Sequence, residues 1–203
     1  DKEKAQARIG DNYYVTLGAA NVAAKDGDTI IVLQNIQNGT GYYGISKEIT
    51  LDLNGHKIEG AKRNASATNA FAAVIRFSGA DKTLTIIDSS ETGSGAVINT
   101  AASDYGYALI AAAGTVKVEA GTFKGTPGGA LYAKDGTFSI SGGTFSSDPA
   151  KYCAEGYVSK ANGDGTYTVR KISYAAAIGS AQYLSLTEAL AAAKDGDTIT
   201  LLT

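Results

Sequence analysis

Histidine, cysteine and proline are almost missing from this sequence, and the shortages exclude several kinds of site. The 203 residues include one His, one Cys and two Pro, with neither Met nor Trp. A single cysteine, Cys153, excludes an intramolecular disulfide and a zinc site built from several cysteines. It is expected to be a small buried thiol. A single histidine, His56, excludes a metal site with several histidine ligands. We predict no cofactor and no metal, although calcium bound by carboxylates alone stays open.

Strong charge of one sign and long apolar runs are also lacking. The net charge is −2 and the pI is near 5.4, so we predict no nucleic-acid partner. No apolar run approaches the roughly 20 residues that span a bilayer, so we predict no membrane insertion. No signal peptide or initiator Met is visible, and we expect a mature fragment or an excised piece of a longer protein. The 44% of hydrophobic residues are enough for a sizeable core.

The sequence contains an internal repeat. Residues 7–33 and 176–202 align at an offset of 169, from Tyr14 to Tyr183, and 15 of the 27 aligned positions are identical. Such identity indicates a repeat unit about as long as a domain. We therefore predict one complete unit at 1–172 and the opening of a second unit at 173–203.

Each copy opens with a pattern that predicts a short helix, a turn and a strand. Ser185 and Glu188 form a capping box, and the Lys-Asp-Gly-Asp sequence that follows stops the helix at a glycine. We expect helices near 15–25 and at 185–194, the latter burying Leu186 and Leu190 where the segment 173–203 folds back on its own chain. Strands are expected at 29–33 and at 198–202.

Between the two openings, short β-rich runs alternate with glycines and polar residues, without helix signals. The strand candidates lie at 29–33, 48–53, 73–77, 83–88, 96–99, 107–113, 115–120, 122–125, 130–133, 137–142 and 144–147. Parallel strands without crossover helices favour a solenoid. The sequence thus predicts an all-β fold, a right-handed parallel β-helix with a short N-terminal capping helix.

A local period of 22 residues supports that fold, since GTVKVEAGTF at Gly114 is followed by GTFSISGGTF at Gly136. The alignment puts Val118 over Ile140, and likewise Val116 over Phe138 and Phe123 over Phe145. Leu51, Leu53, Ile58, Leu84 and Ile86 fit the same inward columns. The stretches 60–82 and 88–107 depart from the short period and are expected to carry loops.

The unit ends differently, with two alternating runs around Asn162-Gly-Asp-Gly. Asn-Gly and Asp-Gly supply the positive φ of tight turns. We predict a β-hairpin at 157–172 that closes the solenoid.

Several of these segments together resemble a known family. They are the ITLDLNGHKI stretch, the GGTF-type coils, the NGDGTYTV ending and the opening that reads Y-x-S/T-L…A-A-A-K-D-G-D-T-I. They resemble the pectin-lyase-like repeats of large surface proteins from gut Firmicutes, over nearly the whole chain. The resemblance implies a pectin-lyase-like fold and a bacterial, extracellular or cell-surface, adhesin-like setting. It carries over no activity, because fold does not fix function.

No catalytic arrangement emerges from the sequence. His56 is interpreted as a turn residue, and the Asp-Gly-Asp sequences as structural turns. Aligned outward columns read Asp52, Thr85, Lys117, Ser139 and Asn54, Ile87, Glu119, Ser141, and neither puts two carboxylates on neighbouring coils. Loop carboxylates Asp81, Asp88, Glu91 and Asp104 remain candidates to meet. We predict that the chain is not an enzyme, and we assign no catalytic residue.

Binding is the favoured alternative to catalysis. Tyr42, Tyr43, Tyr105 and Tyr107 flank glycines in expected loops and are the candidate binding residues, since exposed aromatics stack on sugars or anchor proteins. The interpretation we favour for the rings themselves is that they cover the ends of coils. The leading hypothesis is a structural or adhesive repeat module that presents a glycan- or protein-binding face or assembles head to tail. Its partners would be surface glycans or proteins, neighbouring repeat units or other copies of itself. The alternative is a carbohydrate-active lyase or hydrolase, and a third hypothesis is a pure scaffold with no ligand.

The segment 173–203 has two options on this hypothesis. It either folds back to cover the end of its own chain near the hairpin, the arrangement we favour, or it adds residues 198–202 as a strand to another chain.

Overall fold

The fold was analysed in a computed structural model that describes residues 2–61, 72–101, 105–126 and 129–202. Strands predominate and only two short α-helices are present in these residues, which confirms the all-β class. The chain divides into two compact units, Asp1–Arg170 and Lys171–Thr203. Of the loop carboxylates proposed to meet, Asp104 lies outside the described residues. No helix in the described ranges is long and apolar enough to cross a membrane.

Among its described residues, the first unit contains one α-helix, α1 (Leu17–Ala23), and two 3₁₀ turns, Lys2–Lys4 and Ala150–Tyr152. Its strands are β1 (Ala7–Ile9), β2 (Asn12–Tyr14), β3 (Thr29–Val32), β4 (Ile36–Gln37), β5 (Tyr43–Ile45), β6 (Ile49–Asp52), β7 (Lys57–Gly60), β8 (Ala73–Phe77), β9 (Thr83–Ile87), β10 (Ala96–Asn99), β11 (Tyr107–Ala111), β12 (Thr115–Val118), β13 (Thr122–Lys124), β14 (Leu131–Ala133), β15 (Thr137–Ile140), β16 (Thr144–Phe145), β17 (Tyr157–Ala161) and β18 (Tyr167–Lys171).

Three sheets share the strands of the first unit in a cyclic order. Sheet A runs β15-β12-β9-β6-β3-β1-β2, sheet B runs β17-β18-β16-β13-β10-β7-β4, and sheet C runs β14-β11-β8-β5. From β3 onward the chain visits sheets A, B and C in turn, and it repeats that circuit until β16. Strands from successive circuits pair in parallel, as in β6 with β9 and β10 with β13. Each circuit therefore lies against the one before it.

The inward residues of sheet A form two buried columns. Leu84, Val116 and Phe138 are paired in register, and so are Leu51, Ile86, Val118 and Ile140. All seven side chains are buried. The predicted 22-residue pairing of Val118 with Ile140 is confirmed. Side chains alternate between the two faces of a strand, so the apolar residues of every strand in these columns point inward. There each circuit covers the apolar residues of its neighbour.

Both predicted outward columns are wrong in their register at β6. The alignment placed Asp52 beside Thr85 and Asn54 beside Ile87, but Thr50 pairs with Thr85, and Asp52 pairs with Ile87. Paired strands are also further apart along the sequence where β8 or β10 lies between them. Ile49 of β6, for example, pairs with Leu84 of β9, and β8 lies between the two in the chain. The stretches that depart from the short period thus contain strands of sheets B and C as well as loops.

Truncation of the second column should lower stability strongly. Val118→Ala or Ile140→Ala is expected to reduce the free energy of unfolding by about 2–4 kcal/mol, because both side chains are fully buried and each leaves a cavity. The measurement is urea denaturation of each variant and of the double variant. Non-additive losses are expected, since the two residues are in contact across the β12–β15 pair. A loss below about 0.5 kcal/mol would contradict the buried register.

The predicted helix and the predicted hairpin are both present in the first unit. Thr16 caps α1 by accepting a hydrogen bond from the Ala19 N–H (3.0 Å), and the helix buries Leu17 and Ala20. Strands β17 and β18 form the predicted hairpin, and β18 pairs antiparallel with β16. Within the tight turn, Gly163 has a φ of 86°, a left-handed value that glycine tolerates.

The second unit repeats the opening of the first in detail. It consists of β19 (Ala176–Ile178), β20 (Ala181–Tyr183), α2 (Leu186–Ala192) and β21 (Ile199–Leu201), with β19 between β20 and β21. Ser185 accepts a hydrogen bond from the Glu188 N–H (3.2 Å), which confirms the Ser185 half of the predicted capping box. The Glu188 carboxylate accepts from the Leu184 N–H (3.0 Å) and not from the Ser185 N–H. The prediction that this helix buries Leu186 and Leu190 is wrong, because their exposed fractions are 43% and 60%.

Candidate ligand-binding face

A strip of hydroxyl groups crosses the outward face of sheet A, and we call it the hydroxyl strip. One column of paired residues contains Thr29, Thr50, Thr85, Lys117 and Ser139, and a second contains Thr83, Thr115 and Thr137. Neighbouring strands lie about 4.8 Å apart, so the side chains form a regular array. Hydroxyls both donate and accept hydrogen bonds, which suits a polar ligand.

Two open depressions lie along this strip and share Thr83. The first has a volume of about 220 Å³ and is lined by Gly27, Glu48, Ile49, Thr50, Thr83, Thr85 and Lys117. The second, of about 520 Å³, is lined by Ala80, Asp81, Lys82, Thr83, Ala113, Gly114, Thr115, Asp135 and Thr137. Both depressions therefore place hydroxyls beside an ammonium group and a carboxylate.

Charged groups beside the strip already make contacts of their own. The Lys82 ammonium lies 2.8 Å from the Asp26 carboxylate, which also accepts a hydrogen bond from the Glu48 N–H. The hydrogen bond from Lys82, followed by that from the Glu48 N–H, lowers the pKa of Asp26. Asp28 accepts the Lys25 N–H at 2.7 Å. Within the described ranges no group of three or more potential ligands could hold a metal ion.

A second polar cluster lies at the corner that follows β6 and β9. The Asp52 carboxylate accepts hydrogen bonds from the Asn54 N–H (2.9 Å) and from the Ser89 N–H (3.0 Å) and hydroxyl (2.6 Å). Asp88 accepts bonds from the N–H groups of Gly55 (2.8 Å) and Gly95 (2.6 Å) and from the Ser90 hydroxyl (2.8 Å). Carboxylates saturated in this way hold the corner together, and their acceptor sites are already used.

The Asp88 corner should make stability depend on pH. Partial burial acts to raise the pKa of Asp88, but the hydrogen bonds from Ser90, Gly55 and Gly95 outweigh it and lower that pKa. The ionised form is therefore favoured in the folded state, so its contribution is present above the ordinary value near 3.8 and is lost as pH falls through the lower folded value. Asp88→Asn should lose about 1–3 kcal/mol at neutral pH.

Urea denaturation at neutral pH and at about pH 3 measures this effect, because the difference between the two proteins should shrink in acid. Glu91→Gln, also in a turn next to this corner, is the matched control and should change little at either pH. A constant difference between Asp88→Asn and the parent protein across this range would contradict the assignment.

The single histidine and the single cysteine hold structural positions. His56 follows Asn54 and Gly55, both at positive φ, and its N–H donates to the Leu53 carbonyl (2.8 Å). Cys153 is only half-buried, which is less than the expected burial of the thiol. Burial, and then the charge of Asp148, raise the pKa of Cys153, which keeps the thiol neutral and a weak nucleophile.

The four candidate tyrosines differ widely in exposure. Tyr42 has 37% of its surface exposed, whereas Tyr43 packs against the core and burial raises its pKa. Tyr107 is only 4% exposed and stacks on Tyr132 with ring centroids 5.3 Å apart, and Tyr105 packs against the same cluster. The rings of Tyr43 and Tyr107 have little surface left for a ligand. Binding by these tyrosines stays a prediction. Tyr42 is the most exposed of the four side chains.

No protein-family model, no curated protein and no solved structure matches this chain. The hydroxyl strip was missed at the sequence level. The signal that could have found it is the alternation Thr83-Leu84-Thr85, repeated in register by Thr115-Val116-Lys117. Threonine is also simply a good strand former, so that alternation by itself indicates a half-buried sheet face.

Proposed function

We propose that this chain is a structural and adhesive repeat module of a bacterial secreted or cell-surface protein, built as a right-handed parallel β-helix of the pectin-lyase-like kind. The cyclic order of sheets A, B and C supports the β-helix, because each circuit returns to pair in parallel with the previous one. Parallel connections of this type are right-handed in the great majority of proteins.

The repeated opening is the observation that carries the modular function. β19, β20, α2 and β21 reproduce the arrangement of β1, β2, α1 and β3, including the equivalent pairings Ala176 with Tyr183 and Ala7 with Tyr14. A repeat whose copies fold alike is typical of arrays in which units follow one another. Long arrays of this kind serve as stalks and spacers, and each unit displays its own outward faces.

The adhesive part of the proposal places a glycan on the hydroxyl strip. Sugar hydroxyls need partners that both donate and accept, and the strip offers Thr50, Thr83 and Thr85 beside Lys117 and Glu48. Regular spacing along sheet A suits an extended chain of sugars. The proposed partners are therefore surface glycans, with protein partners as the alternative occupants.

Affinity electrophoresis of the whole chain through gels that contain soluble polysaccharides or mucin glycans tests this function. The expected result is retardation by at least one glycan, weakened on the order of 10-fold in Lys117→Ala and Thr85→Val, since lost hydrogen bonds of about 1.4 kcal/mol have that effect. Lys160→Ala, on exposed hairpin strand β17, is the matched control and should migrate like the parent. Equal retardation of all variants would contradict binding at the hydroxyl strip. No retardation of the parent chain by any glycan would contradict glycan adhesion.

We expect no cleavage of pectate, pectin or polygalacturonate, with or without calcium. The outward column next to the depressions carries Thr50, Thr85 and Lys117, so it holds no two carboxylates on neighbouring strands. Asp52 and Asp88 already accept hydrogen bonds that hold their corner together. Asp81 and Asp135, which both line the second depression, are the carboxylates to change if product forms. Glycoside cleavage needs a free pair of carboxylates or an acid–base pair. The measurement is the ultraviolet absorbance of unsaturated product together with a reducing-sugar assay. Product formation that disappears on changing one Asp would establish the alternative, a carbohydrate lyase or hydrolase.

A further inference from the structure

Equivalent apolar residues in the two copies of the opening motif differ sharply in exposure. Leu201 of β21 has 65% of its surface exposed, whereas Val32, its equivalent in the first copy, has 0%. Leu186 is 43% exposed, and its equivalent Leu17 is 3% exposed. The same local fold therefore has a covered apolar side in one copy and an uncovered one in the other.

The first copy shows what covers this side. Strand β6 lies along β3 in parallel, with Ile30 beside Leu51 and Ile31 beside Asp52. Leu17, Ile30, Val32 and Leu51 belong to one buried cluster. One parallel strand with inward Ile and Leu residues is thus a major part of what buries the opening motif.

Backbone groups define the same side of the motif. The Thr50 N–H donates to the Asp28 carbonyl (2.9 Å), so the backbone of Asp28 faces β6. In a parallel ladder, every second residue of a strand bonds to the same neighbouring strand. The N–H groups of Ile30 and Val32 therefore also face β6. Their equivalents in β21 are the N–H groups of Ile199 and Leu201. The adjacent Leu202 N–H points the other way, because it donates to the Ala175 carbonyl (2.9 Å).

A lysine completes the interface of the first copy. The Lys47 ammonium donates to three carbonyls at the end of α1, those of Asn21 (3.0 Å), Val22 (2.8 Å) and Ala24 (2.6 Å). A cation at this position satisfies carbonyls that have no partner within the helix. The corresponding carbonyls at the end of α2 belong to Leu190, Ala191 and Ala193.

We propose that the edge formed by β21 and α2 is a docking site for one parallel strand with the pattern Lys-x-Ile-x-Leu-x-Leu, supplied by the next coil of a repeat unit of the same kind. The pattern is that of residues 47–53. The docked strand places its first Leu beside Ile199, covers Leu201, and brings its Lys to the last carbonyls of α2. This inference rests on the proposed function as a tandem module and names the partner of its C-terminal edge.

Amide exchange of the full chain, resolved by residue, tests the site with a peptide of residues 43–58 as the probe. Exchange at Ile199 and Leu201 should slow by about 10-fold or more on binding, while Thr200, already bonded within the second unit, should change little. A peptide carrying Leu51→Asp is the matched probe and should have no effect. Slowing confined to another edge, such as Thr137–Ile140, would overturn the proposal.

A tethered version decides the matter even if the free peptide binds weakly. A copy of residues 35–60 appended after Thr203 reproduces the spacing between β3 and β6, and tethering raises the effective concentration to roughly millimolar. The extended chain should protect the Ile199 and Leu201 amides, and Leu201→Asp should abolish that protection, whereas Val22→Asp on exposed α1 should not. Fast exchange of both amides in the extended chain would overturn the docking site.

The glycan experiment on the unextended chain is independent of this result. If the chain binds a glycan but the extended chain does not protect the Ile199 and Leu201 amides, the docking site is contradicted and the adhesive function is not. Lost glycan binding together with a protected edge would do the reverse. The two proposals therefore fail separately.

Discussion

Gly114→Ala should destabilise the first unit by about 3–5 kcal/mol or prevent its folding, which places it among the most severe single changes. Gly114 has a φ of 64°, and an added Cβ would overlap the backbone carbonyl oxygens of Gly79 and Lys82. The backbone around Gly114 also takes part in the hydrogen bonds between circuits. The Thr115 N–H donates to the Lys82 carbonyl (3.0 Å), and the Thr137 N–H donates to the Gly114 carbonyl (2.9 Å). If the backbone moves to relieve the overlap, successive circuits move apart and these hydrogen bonds are lost.

Gly18→Ala is the matched control for this substitution. Gly18 lies within α1 at an ordinary φ, and an added Cβ would come no closer than 3.9 Å to the Thr16 hydroxyl. Alanine there should raise the free energy of unfolding by roughly 0.5–1 kcal/mol, because glycine is a poor helix former. Urea denaturation measures both effects. Equal and small changes in the two variants would contradict the close approach of backbone at Gly114.

Phe123→Ala should reduce the free energy of unfolding by about 3–5 kcal/mol. Phe123 is fully buried between circuits and stacks on Phe145, with ring centroids 5.2 Å apart and ring planes at 17°. Removal of the ring loses its burial and leaves an aromatic-sized cavity. Its partner then loses a stacking contact that contributes about 0.5–1.5 kcal/mol more.

An exposed aromatic provides the comparison for Phe123. Tyr174→Ala should cost less than about 1 kcal/mol, because 37% of the Tyr174 surface is exposed. Phe123→Ala combined with Phe145→Ala should lose less than the sum of the two single losses, since each single change already breaks the stack. Additive losses from the two rings would argue that they do not pack on each other.

Sequence periodicity predicts which side of a strand is buried better than it predicts which residues are neighbours. The 22-residue repeat places Val118 on Ile140 correctly, because 22 residues separate these two partners in the chain. Where β6 pairs with β9 the separation is longer: Leu51 pairs with Ile86 and not with Leu84, so the predicted position of Asp52 is wrong by two residues. A shift of two keeps every apolar residue on the same face, so the hydrophobic pattern cannot detect it.

The candidate site was less predictable than the fold for a related reason. Outward residues of a strand are constrained only by solubility and strand propensity, so Thr50 and Thr85 gave no signal until the register brought them together. Tyrosines such as Tyr107 did attract notice, yet that ring is buried against Tyr132. Aromatic character by itself does not distinguish a binding residue from a packing residue.

Amphipathic helices raise the same difficulty at the second unit. The spacing of Leu186 and Leu190 correctly predicts a helix with an apolar side, but it does not say what lies against that side. The partner strand of the first copy, β6, is encoded more than 20 residues away and has no counterpart within residues 171–202 as the structure describes them. Burial of a repeat motif depends on its neighbour, and local pattern carries no information about that neighbour.

The circuit-to-circuit pairing of sheets A, B and C has a kinetic consequence. Each strand finds its partner one circuit away along the chain, as in Thr115 with Thr137, so loop closure is about equally expensive at every step. If the proposed β-helix is correct, folding is expected to start from one pair of adjacent circuits and to propagate in both directions, as linear arrays do. The terminal circuits should exchange with solvent fastest and the middle ones slowest. A partner strand docked on an end would convert a fraying terminus into an interior position and slow unfolding from that side.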